Sequence, residues 1–134
     1  MTSPPTAAEQ LVGYLERRGV RHVFGLCGHT NIAVLAAMAD SDIEFVNVRH
    51  EQIAAHAADG YARLRGLGVV CTTFGVGELS AINAVAGAYA EHVPLLHLVG
   101  SPSTLVQSAG RATHHSLGDG DFGLEHETGV VGRG

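Results

Sequence analysis

The sequence predicts an α/β domain of three layers, a mostly parallel sheet with helices on both faces. Two observations carry this. Four short apolar runs, HVFGL (22–26), IEFVNV (43–48), VVCTTF (69–74) and PLLHLVG (94–100), alternate with segments of helical pattern, and they show little of the polar alternation that a half-solvated strand keeps. Strands of that kind need cover on both sides, which helical crossovers supply. The bulk numbers agree: 134 residues, 46% hydrophobic and 16% charged, make one domain with enough apolar surface for a core. With 4 Phe, 3 Tyr and no Trp, that core must be built from Ala, Val, Leu and Gly, so its elements must approach closely.

Each element has its own signal. Pro4 and Pro5 precede Thr6 and Glu9, which form a Thr-x-x-Glu capping box, and Ala8, Leu11, Val12 and Leu15 recur at helical spacing until Gly19 ends the pattern. His22–Leu26 reads as the first strand, CGHTN as the turn after it, Ile32–Met38 as a helix and Ile43–Val48 as the second strand. The Ala-rich stretch Glu51–Arg65 is the next helix. Val69–Phe74 is the third strand, GVGE a turn, Leu79–Ala90 a helix and Pro94–Gly100 the fourth strand. In such sheets ligands bind at the carboxyl ends of the strands. The sequence places three features there: GHTN after the first strand, HE after the second and TTFGVGE after the third.

Composition excludes several functions. A net charge of −5, with every basic residue an arginine, argues against a phosphate-backbone binder, which needs a basic face to release counterions. No run approaches the ~20 apolar residues of a membrane helix, and MTSPPTAAEQ has neither the basic nor the apolar region of a signal peptide. A cytoplasmic protein with no nucleic-acid or membrane partner is expected. Cys27 and Cys71 stand on apolar segments without CxxC spacing and read as buried small hydrophobes in a reducing compartment.

The segment VRHEQIAAHAADGYAR (48–63) suggests a zinc site and fails as one. A zincin helix needs histidines at i and i+4, whereas His56 lies at i+6 from His50, about 240° around a helix, so the two point apart. Glu51 remains, in the first turn of a helix where the dipole favours a carboxylate. GVGELS (75–80) follows a strand and opens a helix, but it falls short of the dinucleotide fingerprint GxGxxG and reads as a tight turn. The loop HHSLGDGDF (114–122) carries adjacent histidines that could handle protons, bind metal or simply be solvated.

Taken together, RHEQIAAHAADGYAR, TTFGVGELSAINAVAGAYAEHVPLLHLVGSPST and THHSLGDGDF resemble the N-terminal pyrimidine-binding domain of thiamine-diphosphate-dependent enzymes. Within that superfamily they most resemble the 2-oxo acid decarboxylases, such as pyruvate and indolepyruvate decarboxylases. The resemblance runs roughly from residue 6 to 122. It implies that Glu51 hydrogen-bonds N1′ of the aminopyrimidine ring and favours the imino tautomer that activates the cofactor. It implies that His114 and His115 shuttle protons beside the substrate, and that Thr73 lines the same pocket. No residue of this chain is implied as a metal ligand.

Two departures from the pattern stand out. Where pyruvate-decarboxylase-like members carry an aspartate in a GDYN-like turn, this chain has GHTN, which puts His29 at the acid position; the imidazole either lines the substrate site or caps the turn. That change raises the alternative of an acetolactate-synthase-like carboligase. The family holds the diphosphate through Mg2+ with a GDG...N motif of a later domain, and GDGD (118–121) has only 13 residues after it, with no asparagine to match. The chain therefore reads as a single, C-terminally truncated domain, 1–134, that binds the pyrimidine end of thiamine diphosphate. It would act on a 2-oxo acid only as a homo-oligomer or with a diphosphate-binding partner domain. A non-catalytic orphan interaction domain is the remaining alternative.

Overall fold

The computed structural model describes residues 4–110 and 113–115. Its elements run α1 (Ala7–Arg17), β1 (His22–Gly25), α2 (Ile32–Ala39), β2 (Glu44–Asn47), α3 (Glu51–Arg65), β3 (Gly68–Thr73), α4 (Val76–Ala90), β4 (Leu95–Gly100) and α5 (Thr104–Ser108). The segments Gly118–Asp121 and GLEHETGVVGRG lie outside the described residues.

Local chemistry sets the element ends. At the start of α1 the capping box forms in both directions: the Glu9 N–H donates to Thr6 Oγ1 at 3.2 Å, and the Thr6 N–H donates to Glu9 Oε2 at 2.6 Å. The backbone bond from Thr6, followed by its side chain, holds the Glu9 carboxyl below its usual pKa. Two elements depart from expectation. The helix α4 starts at Val76 rather than Leu79, because Gly75, at φ 65°, turns the chain within one residue and leaves Val76–Glu78 already helical. The short α5, capped by Ser103 accepting from the Val106 N–H, carries too few residues to show a periodicity.

All four strands are parallel, in the order β2-β1-β3-β4. The chain leaves β1 toward β2, then returns to the other side of β1 as β3 and continues to β4. Right-handed crossovers in opposite directions put their helices on opposite faces, so α2 and α3 flank the sheet from two sides. One core forms between α1, α2 and the sheet, from Val12, Leu15, Val23, Met38, Val69 and Cys71. The other forms under α3 and α4, from Ala54, Ala55, Ala58, Val70, Ala81 and Ala84. The three-layer α/β architecture expected from the sequence is present.

Strand β3 is buried along its whole length, with Val69 and Cys71 in the first core and Val70 in the second. Period-2 side-chain alternation thus feeds apolar groups to both layers, and the sequence shows an unbroken apolar run. Burial pushes the Cys71 thiol up to about 11, as expected of a structural cysteine. Cys27 corrects the sequence reading: it lies beyond the end of β1, in the loop, and is exposed. No helix among the described residues is long and apolar enough to cross a membrane.

Candidate active site

The strand order reverses between β1 and β3, and at such a switch point the loops leaving the two strands part and open a crevice at their carboxyl ends. The loop after β1 is fixed by side-chain amides. The Gly28 N–H donates to Asn31 Oδ1 at 3.0 Å, Asn31 Nδ2 donates to the Leu26 carbonyl at 3.0 Å, and the Cys27 N–H donates to Asn47 Oδ1 at 3.1 Å. Asn31 is fully buried, so the amide that holds this turn is Asn31, and His29 stands exposed beside it.

At the end of β2 the chain enters α3. His50 is the N-cap, its Nδ1 accepting from the Gln52 N–H at 3.2 Å, while His56 is exposed on the helix. The two histidines of the apparent zinc motif do separate, local jobs. Glu51 follows as the first helical residue and is half-buried. At the end of β3 sits Thr73, buried, and across from both is Gly77 of α4. A Cβ at position 77 would stand 2.5 Å from Thr73 Oγ1 and 3.4 Å from Glu51 Oε1. The absence of a side chain there lets the hydroxyl and the carboxylate come close to the backbone of α4.

The third group comes from Thr113–His115. His115 Nδ1 lies 3.4 Å from Thr73 Oγ1 in hydrogen-bonding geometry, and its ring is 6.2 Å from that of Phe74. His29 closes the cluster, its ring centroid 5.5 Å from those of both His114 and His115, which are 4.1 Å from each other. His115 adopts φ 78°, a conformation that favours glycine and that recurs where a fold holds a functional side chain in place. Gly75 allows it, since a side chain there would run into the His115 carbonyl. Desolvation first, then the neighbouring His114 and His29, lower the His115 pKa, while the Glu51 carboxylate pulls it back up. Among the described residues no three of His, Cys, Asp and Glu are placed to hold a metal ion.

The structure therefore joins Glu51, Thr73, His114 and His115, which sequence reasoning singled out, and brings His29 to them. It also adds Gly77, Asn31 and Phe74, which that reasoning missed. Gly77 was legible only as one glycine of GVGE; that it faces Glu51 depends on α3 and α4 lying side by side.

A sequence model of the family described as "Thiamine pyrophosphate enzyme, N-terminal TPP binding domain" matches residues 5–122. The chain belongs to this family. Among curated relatives of this thiamine pyrophosphate enzyme domain, it is 53% identical over 118 residues to the alpha-keto-acid decarboxylase of Mycobacterium ulcerans, covering 87% of this chain and 21% of that protein. It is 52% identical over 128 residues to the alpha-keto-acid decarboxylase of Mycobacterium leprae, covering 91% and 22%. It is 50% identical over 125 residues to a Schizosaccharomyces pombe protein named as a pyruvate decarboxylase, again covering 91% and 22%. The chain thus spans about a fifth of the length of the curated relatives it matches.

Proposed function

We propose that this chain is the pyrimidine-binding part of a thiamine-diphosphate-dependent 2-oxo acid decarboxylase, with Glu51 hydrogen-bonded to N1′ of the aminopyrimidine ring. One observation supports the reading: Thr73 Oγ1 lies within hydrogen-bonding distance of His115 and, like Glu51 Oε1, comes close to the backbone of α4 at Gly77, where a side chain would crowd both. When bound, thiamine diphosphate supplies the nucleophilic carbon and the electron sink for decarboxylation. The residues of this chain supply orientation and proton handling. The first turn of α3 favours the Glu51 carboxylate, and sharing a proton at its oxygen with the ring nitrogen fixes the ring's tautomer.

His115, with its pKa lowered, is neutral near pH 7 and can accept a proton at the ring nitrogen left free by its tautomer. His114 is exposed and can exchange protons with solvent. Thr73 orients the His115 ring through their shared hydrogen bond. The diphosphate end of the cofactor and its Mg2+ are assigned to a partner domain outside these residues, so the working unit is an oligomer or a complex with that domain, in the cytoplasm.

The test is Glu51→Gln in the complete assembly, assayed for carbon dioxide and aldehyde from a 2-oxo acid. Turnover should fall by about 10²- to 10⁴-fold, the usual span for an acid–base group. Near-normal turnover overturns the role of Glu51. Acetolactate in place of aldehyde as the main product transfers the same residues to the carboligase class, the reading that His29 at the usual acid position favours.

A further inference from the structure

The helices α3 and α4 touch at both ends. Glu51 opens α3 and lies against Gly77 in the first turn of α4. About 18 Å further along α3, at 1.5 Å per residue, Arg63 reaches α4 again. Its Nε and Nη2 donate to Asp59 Oδ2 and Oδ1 at 3.0 and 3.2 Å, and its Nη1 donates to Glu91 Oε2 at 2.7 Å. Glu91 caps the end of α4. The two helices therefore run side by side in the same direction, with Glu51 at one end of their contact and a guanidinium bridge at the other.

Between those ends the contact is smooth. The buried residues of α3 are Ala54, Ala55, Ala58 and Ala62, and those of α4 past its first turn are Ala81, Ala84 and Ala88. Helix packing fixes register through side chains that interdigitate as ridges and grooves, and a methyl group projects too little to do so firmly. Alanine contacts thus hold the helices together while resisting a slide along their axes only weakly. Arg63 supplies the missing constraint. Its two bonds to Asp59, one turn earlier on the same helix, hold the guanidinium plane, so that the remaining donor meets Glu91 in a set direction. An isolated surface ion pair contributes little, but a bidentate arginine within a network of charges is the exception.

We propose that Arg63 is a positioning residue for Glu51: its bridge to Glu91 fixes the register of α3 against α4 and so keeps the Glu51 carboxylate in place beside Gly77. The inference rests on the role of Glu51 proposed above and extends it to a residue at the other end of the helix. A misplacement of about 1 Å at a reacting group costs up to about 10²-fold in rate, so a slide far short of one helical turn is enough to be felt.

The experiment has two readouts. Register is measured on the chain itself, with nitroxide labels on cysteines introduced at Gly60 and Gly87, where a Cβ meets nothing within 4 Å, after the exposed Cys27 is replaced by serine. Electron paramagnetic resonance should give a wider distribution of distances in Arg63→Met, which keeps the apolar stem, and in Glu91→Ala. Turnover of a 2-oxo acid is measured in the complete assembly. Both variants should lower kcat by about tenfold or more and leave KM for the acid unchanged. The double variant should be no worse than either single one. Arg63→Lys, which reaches Glu91 as a point charge but loses the fork on Asp59, should recover part of the loss.

An unchanged distance distribution in both variants overturns the proposal. So does full kcat in Arg63→Met where Glu51→Gln has lost it. Additive losses in the double variant also overturn it, since residues that act as one clamp fail together. The register measurement needs neither thiamine diphosphate nor a partner domain. A wider distribution with full kcat in both Arg63→Met and Glu51→Gln would uphold the clamp and count against the role of Glu51 alone.

Discussion

A methyl group at position 77 would collide with Thr73 Oγ1 and crowd Glu51 Oε1. Gly77→Ala should therefore raise the apparent KM for thiamine diphosphate in the complete enzyme by about tenfold or more. Unfolding in urea should register the overpacking as a loss of about 1–3 kcal/mol. A second residue-level expectation concerns charge. Because His29 is one of the groups that lower the His115 pKa, His29→Asn should raise it, and Glu51→Gln should lower it further by removing the opposing carboxylate. Imidazole resonances of His115 followed through a pH titration check both signs. At this scale the sequence was informative about residue types and silent about partners. Glu51 was identifiable from its place after a strand, but its neighbour Gly77 lies 26 positions away and meets it only across two helices.

At the scale of elements, legibility followed the strength of local signals. The bounds of α3 were read correctly from its Ala-rich composition, and in the structure a histidine N-cap, an acidic first turn and a basic last turn coincide with its ends. The start of α1 rests on a capping box that is complete in the structure, so Thr6→Ala should cost about 1 kcal/mol, read from the urea midpoint at constant m-value. The start of α4 was misplaced because GVGE carries two glycines and looks like a turn. What decides otherwise is Gly75, which turns the chain alone, and the burial of Gly77 and Glu78 in the helix's first turn. Cys27 was misjudged for a related reason. The apolar run continues past the last ladder residue of β1, and a sequence does not reveal where pairing stops.

For the whole molecule, stability should depend on pH through His97 on β4. Its Nε2 lies 2.9 Å from Thr72 Oγ1, and burial lowers its pKa from 6.5 to about 4. The folded state thus favours the neutral ring, and the folded pKa lies below the unfolded one. The contribution is complete above about pH 6.5 and is lost as the pH falls toward 4. It amounts to something on the order of 3 kcal/mol. Urea midpoints measured between pH 4 and 7 should fall on the acid side, and His97→Gln should flatten that slope. Alternation of buried apolar runs with Ala-rich helices determined by itself that the chain forms a parallel sheet covered on two faces, because periodicity and burial are local properties of a sequence. The same holds for family membership, which rests on ordered motifs. Only the tertiary structure decided that Gly77 stands against Glu51 and Thr73 and that His29 lies beside His115. Their proximity comes from the reversal of strand order between β1 and β3, and a reversal of that kind is set by how whole layers pack rather than by any one segment.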